Sequence, residues 1–167
     1  MYLVAFIASC LLTYIIKEFG QKQSWTDKPK TESAHSHEIP TCGGLAIVIT
    51  WTFGICYLFS QNKIEKTLFF ALCTGVPLAI ISFIDDLYNL KQKTRLIAQV
   101  IITSLALYQL GGLEKLTFSF GTLTNPFILN SLCLIGVVWI VNLYNFQDGI
   151  NGYAGAEAVF IGLAGFF

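Results

Sequence analysis

Asp85 and Asp86 stand side by side directly after the apolar run 78–84. Adjacent carboxylates there can orient a phosphate, take a proton from it or position a cation. Lys91, Lys93 and Arg95 follow within ten residues and can steer anions. A second polar run, Asn145-Phe146-Gln147-Asp148-Gly149-Ile150-Asn151-Gly152, interrupts two hydrophobic stretches. A third carries Asp27, Pro29, His35, His37 and Pro40-Thr41-Cys42-Gly43-Gly44. Each has an ordinary reading. An Asp pair can be a solvated helix end, Asp-Gly and Asn-Gly mark turns, and loop histidines are usually solvated. The Asp148 run also lacks the alternating ligands and closing Glu of an EF-hand. The combination is less ordinary, and it makes chemistry only if the chain brings the three runs together.

The elements that would do so follow from composition. The chain has 167 residues and zero formal net charge, with 54% hydrophobic and 12% charged residues. Its mean hydropathy is +0.65. A soluble domain carries about 25% charged residues, so an integral membrane protein is expected and disorder is excluded. Neutrality argues against a nucleic-acid partner, which selects a basic face. The five cysteines (Cys10, Cys42, Cys56, Cys73, Cys133) form no CxxC pair and read as small hydrophobes.

Stretches free of charge place six membrane helices near Met1–Ile16, Gly43–Phe59, Leu68–Ile84, Leu96–Leu110, Phe127–Tyr144 and Tyr153–Phe167. The predicted fold class is thus all-α, a polytopic transmembrane bundle. Residues 117–126, rich in Thr, Ser, Gly and Pro, read as a loop. With no Lys or Arg before it, the first helix is read as a retained span, not a cleaved signal. Seven Lys and Arg fall on the side holding 17–41, 85–95 and 145–152, against three on the other. The positive-inside bias then makes the first side cytoplasmic and puts the N-terminus outside. All three polar runs lie on that side. The last helix reaches Gly165–Phe167 without a charged flank or polar tail, so 1–167 is read as the N-terminal part of one longer transmembrane domain.

The three runs together resemble the polyprenyl-phosphate N-acetylhexosamine-1-phosphate transferases, of the glycosyltransferase family 4 type. Asp27-x-Pro29, His35 and Pro40-x-x-Gly43-Gly44-Leu45 are similar to the family's first cytoplasmic loop. The spacing to Pro40 favours His35 over His37 as the matching histidine. Phe83-Ile84-Asp85-Asp86-Leu87, through Lys93, Arg95-Leu96 and Gln99, is similar to its aspartate-pair motif. Asn145-Phe146-x-Asp148-Gly149-Ile150-Asn151-Gly152-x-Ala154-Gly155 is similar to its nucleotide-site motif, the most specific of the three. The chain departs from the family in Glu32-Ser33, where an Arg-Lys pair is usual, and in Asn151, where many members have Asp.

The resemblance implies a bacterial inner-membrane enzyme with a cytoplasmic site. It would move N-acetylhexosamine-1-phosphate from a UDP-sugar to undecaprenyl phosphate, releasing UMP, as a first membrane step of cell-wall or lipopolysaccharide synthesis. It implies Asp85, Asp86 and Asp148 as catalytic, and Asn151, Lys93 and His35 as substrate-binding. Asn145 and Asp148 are implied as ligands of Mg2+, which accepts few oxygen ligands and keeps several waters. Members are longer than this chain, so the resemblance places a further magnesium aspartate and a histidine-rich loop beyond residue 167. It leaves room for a homodimer. The alternative is a fragment of a polytopic transporter, in which acidic residues usually lie near the midplane of the helices.

Overall fold

The computed structural model describes residues 2–23, 25–27, 39–40, 43–119, 121–147 and 153–164. In chain order the elements are α1 (Tyr2–Lys22), β1 (Thr26–Asp27), β2 (Ile39–Pro40), α2 (Gly43–Ser60), α3 (Lys66–Cys73) and α4 (Gly75–Tyr88). They continue with α5 (Gln92–Gln109), β3 (Leu116–Phe118), β4 (Gly121–Leu123), α6 (Pro126–Gln147) and α7 (Tyr153–Ala164). The fold is an all-α polytopic membrane bundle with two minimal hairpins.

Among the described residues four stretches are long and apolar enough to cross a membrane: Leu3–Lys22, Gly43–Ser60, Lys66–Tyr88 and Pro126–Gln147. The third joins α3 and α4 through Thr74, which donates its hydroxyl to the Ala71 carbonyl at 2.6 Å. Pro77, lacking an N–H, cannot continue the ladder across this joint. At 1.5 Å per residue the joined pair is about 34 Å long, enough for a hydrocarbon core of about 30 Å. Side chains such as Phe53, Ile101, Leu132 and Trp139 are exposed, as lipid-facing groups should be. Among the described residues the buried hydrophobic side chains are few: Ala46, Ile55, Ala71, Leu129 and Val138.

α5 reverses the usual arrangement. Its buried residues are Gln99 and Thr103, whereas Leu96, Ile97, Val100, Ile101 and Leu105 are exposed. With Arg95 one turn before Gln99, the inward stripe of α5 is polar. This explains why α5 falls outside the four strongly apolar stretches and still packs against α3, α4 and α6. α1 packs on α2, and α2 on both α3 and α4. A Cβ on Gly75 would lie 3.0 Å from the Trp51 ring, so glycine lets the α2 indole cross the α3–α4 joint closely.

The helices outrun the boundaries drawn from hydropathy. Asp85 and Asp86, expected to open a loop, lie in the last turn of α4. Asn145 to Gln147, also expected in a loop, complete α6, and α1 continues through Lys17 to Lys22. Loss of apolarity marks where the bilayer ends, not where backbone hydrogen bonding stops. β3 and β4 pair antiparallel where an irregular loop was expected, with Leu116 opposite Leu123. α6 begins cleanly because Asn125 Oδ1 accepts the Phe127 and Ile128 N–H groups ahead of Pro126 in the first position.

Candidate active site

The α4–α5 turn is built around one carboxylate. Asn89 ends α4 in the left-handed conformation (φ 48°), which Asn tolerates better than most residues, and its N–H donates to the Asp85 carbonyl at 2.7 Å. Asp85 Oδ1 accepts the Leu90 N–H at 2.9 Å. Asp85 Oδ2 pairs with Arg95 Nη1 at 2.9 Å, with the side chains 13% and 26% exposed respectively. The turn therefore holds the start of α5 against the end of α4. Asp86, on the next position, is exposed, as are Lys91 and Lys93.

These charges oppose their own helices. Acidic groups at a C-terminus and basic groups at an N-terminus each face an unfavourable dipole, typically by about 0.3–1 kcal/mol at the surface. Asp85 and Asp86 end α4, and Lys93 and Arg95 begin α5. The Asp85–Arg95 pair offsets part of that cost.

Two further contacts draw other elements to this end. Trp25 stacks edge-on against Phe19 of α1 at 5.6 Å and Phe83 of α4 at 5.4 Å, so the segment after α1 is pinned two residues from Asp85. β1 and β2 pair antiparallel, Thr26 with Pro40 and Asp27 with Ile39, which brings Asp27 and Pro40 of the third polar run together. On α5, Gln99 lies one turn from Arg95. Its amide exchanges bonds with Asn142 of α6: Asn142 Nδ2 donates to Gln99 Oε1 at 2.6 Å, and Gln99 Nε2 to Asn142 Oδ1 at 3.5 Å. Asn142 is one turn before Asn145, which is exposed near the end of α6.

Asp85, Asp86, Lys93 and Asn145 thus lie at the same end of the bundle. His35, Asp148 and Asn151 fall outside the described residues. Among the described residues no group of three or more His, Cys, Asp and Glu is placed to hold a metal. Trp25 and Asn142 escaped sequence reasoning. An Asn inside the apolar run 127–144 was the available signal, since a polar side chain at membrane depth requires a partner.

A model of the family described as "Glycosyl transferase family 4" matches residues 67–167, from the start of α3 through α7. The chain belongs to glycosyl transferase family 4. This glycosyl transferase family 4 chain is 31% identical to the "Probable undecaprenyl-phosphate N-acetylglucosaminyl 1-phosphate transferase" of Bacillus subtilis (strain 168), over 96% of this chain and 46% of the relative. It is 28% identical to the "Undecaprenyl-phosphate alpha-N-acetylglucosaminyl 1-phosphate transferase" of Escherichia coli (strain K12), over 90% of this chain and 41% of the relative. It is 27% identical to the "Phospho-N-acetylmuramoyl-pentapeptide-transferase" of Chlamydia pneumoniae, over 92% of this chain and 48% of the relative. The chain spans about half the length, or less, of these curated relatives. No solved structure matches it significantly.

Proposed function

We propose that this family 4 chain is the N-terminal part of a single transmembrane domain that transfers N-acetylhexosamine-1-phosphate from a UDP-sugar to undecaprenyl phosphate. An oxygen of the lipid phosphate attacks the sugar-bearing phosphorus. The bond from that phosphorus to the bridging oxygen breaks, UMP leaves, and a lipid-linked diphosphate sugar remains. Both reactants are anions, so the barrier depends on charge that is positioned in advance.

The observation that carries the reading is the α4–α5 turn, where exposed Asp86 and Lys93 flank a locked Asp85–Arg95 pair at the end of the bundle that also carries Asn145. Lys93 attracts phosphate, and Asp86 orients the lipid phosphate or takes its proton. Asp85 sets the geometry of both. Asn151 and His35 complete substrate binding. Asn145 and Asp148 offer the hard oxygen donors that Mg2+ prefers, two being enough for an ion that keeps several waters. Bound there, Mg2+ supplies charge neutralisation on the diphosphate. The site faces the cytoplasm from the bacterial inner membrane, with the N-terminus outside, and the product begins an envelope glycan. Asp85 and Asp86 sit at the end of α4, which suits a water-borne donor better than a transporter's midplane site.

The test uses the full-length protein in vesicles of undecaprenyl phosphate and phospholipid, with UDP-N-acetylhexosamine labelled in the sugar. Label moving into the organic phase is expected. Label crossing the membrane as intact UDP-sugar, with none in lipid, would replace the transferase by a transporter.

A further inference from the structure

We infer that Gln99 and Asn142 are positioning residues, an amide clasp that sets the register of α6 on α5 and so holds the end of α6 that carries Asn145 against the Asp85–Arg95 turn. The catalytic meaning of this clasp rests on the transferase reading; its structural meaning does not.

Gln99 is 5% exposed and, with Thr103, one of two polar side chains buried among the described residues. The two amides satisfy one another reciprocally, and Asn142 Nδ2 also donates to the Val138 carbonyl at 2.8 Å, which fixes its rotamer. Sliding α6 by one residue moves it about 1.5 Å along and turns it about 100°. Both amides would then be left unpaired in an apolar interior. A single buried amide pair fixing register has a precedent in the polar core positions of coiled coils.

The placement of the clasp links it to the site. Gln99 is four residues after Arg95, and Asn142 three residues before Asn145. By helix rise each lies only about 4–6 Å along its axis from the site residue it serves. The far end of the α5–α6 pair is tied separately, by the Leu113 N–H donating to Asn130 Oδ1 at 2.9 Å and Asn130 Nδ2 donating to the Pro126 carbonyl at 2.7 Å. Loss of the clasp therefore frees the site end of α6 while the hairpin stays closed at its other end.

The experiment uses full-length protein carrying Gln99→Met, Asn142→Leu, both together, or the exchange Gln99→Asn with Asn142→Gln. The first two replace polar by apolar side chains of similar size, which favours insertion. Spin labels at Lys93→Cys and Asn145→Cys, in a background lacking the native cysteines, report the distance between the starts of the two motifs. A narrow distribution is expected with the clasp intact, and a broadened or displaced one in both apolar variants. UMP release should fall about tenfold or more in each, since misplacement of about 1 Å can cost a hundredfold. The double variant should be no worse than the weaker single, and the exchange should recover much of the loss. An unchanged distance distribution in both apolar variants would overturn the clasp. So would losses that simply multiply in the double variant. If distances respond as expected but the unaltered protein releases no UMP, the clasp stands and the transferase reading fails.

Discussion

The Asp85 carboxylate and the Arg95 guanidinium meet at 2.9 Å across a three-residue turn, while the other Asp85 oxygen holds the Leu90 N–H at 2.9 Å. The two neighbouring aspartates are thus unequal. Asp85 is committed to its turn, and Asp86 is exposed at the end of the same helix.

Arg95→Ala should therefore do more than remove one charge. It leaves a carboxylate only 13% exposed without its cation. Losing a charged hydrogen-bond partner costs about 1.5–3 kcal/mol, so a lower melting temperature in detergent is expected together with reduced turnover. Arg95→Lys should recover part of both. A melting temperature unchanged in Arg95→Ala would show that the pair does not hold the turn.

Asp85→Asn, Asp86→Asn and Asp148→Asn in the full-length protein should each slow turnover by about a hundredfold or more, on the order of 3 kcal/mol of barrier. All three should still insert, because none of them lies within an apolar run of the sequence. Turnover near the unaltered rate in all three would remove them from the catalytic site.

With α3 and α4 taken as one span, the number, order and approximate centres of the described helices were legible in the charge-free stretches, because a bilayer imposes its thickness on hydropathy. Helix ends were not. Asp85, Asp86 and Asn145 are polar yet helical, and what stops α4 is the left-handed Asn89, a local backbone event that composition does not register. The polar runs were legible as site candidates from residue type and spacing. That Asp85 would be tied to Arg95, or that Gln99 would find Asn142 at a separation of 43 residues, depends on packing between helices. The pairing of Trp25 with Phe83 was hidden for the same reason.

At the opposite end, Gly112 adopts φ +76°, and a Cβ there would lie 2.7 Å from Asn130 Oδ1. Gly112→Ala should destabilise the α5–α6 connection by about 1–3 kcal/mol. Because the strain is remote from Asp86 and Asn145, KM for the UDP-sugar should hold steady while the melting temperature falls. Thermal unfolding matched to the unaltered protein would contradict this.

Single cysteines at Lys22, Lys91, Lys63 and Lys115, all exposed, test the placement in the membrane. With the native cysteines replaced, an impermeant reagent added outside intact cells should label positions 63 and 115 and spare 22 and 91. Labelling of position 91 together with 63 and 115 would move the aspartate turn to the outer face and away from cytoplasmic UDP-sugars.

The most direct measurement is UMP release by the full-length protein supplied with UDP-N-acetylhexosamine, undecaprenyl phosphate and Mg2+, with each component omitted in turn. UMP should appear only when all three are present, in step with lipid-linked sugar, and should fall by about a hundredfold or more in Asp86→Asn. UMP release that continues without the lipid phosphate, or that is unaltered in Asp86→Asn, would contradict a transfer reaction organised by the α4–α5 turn.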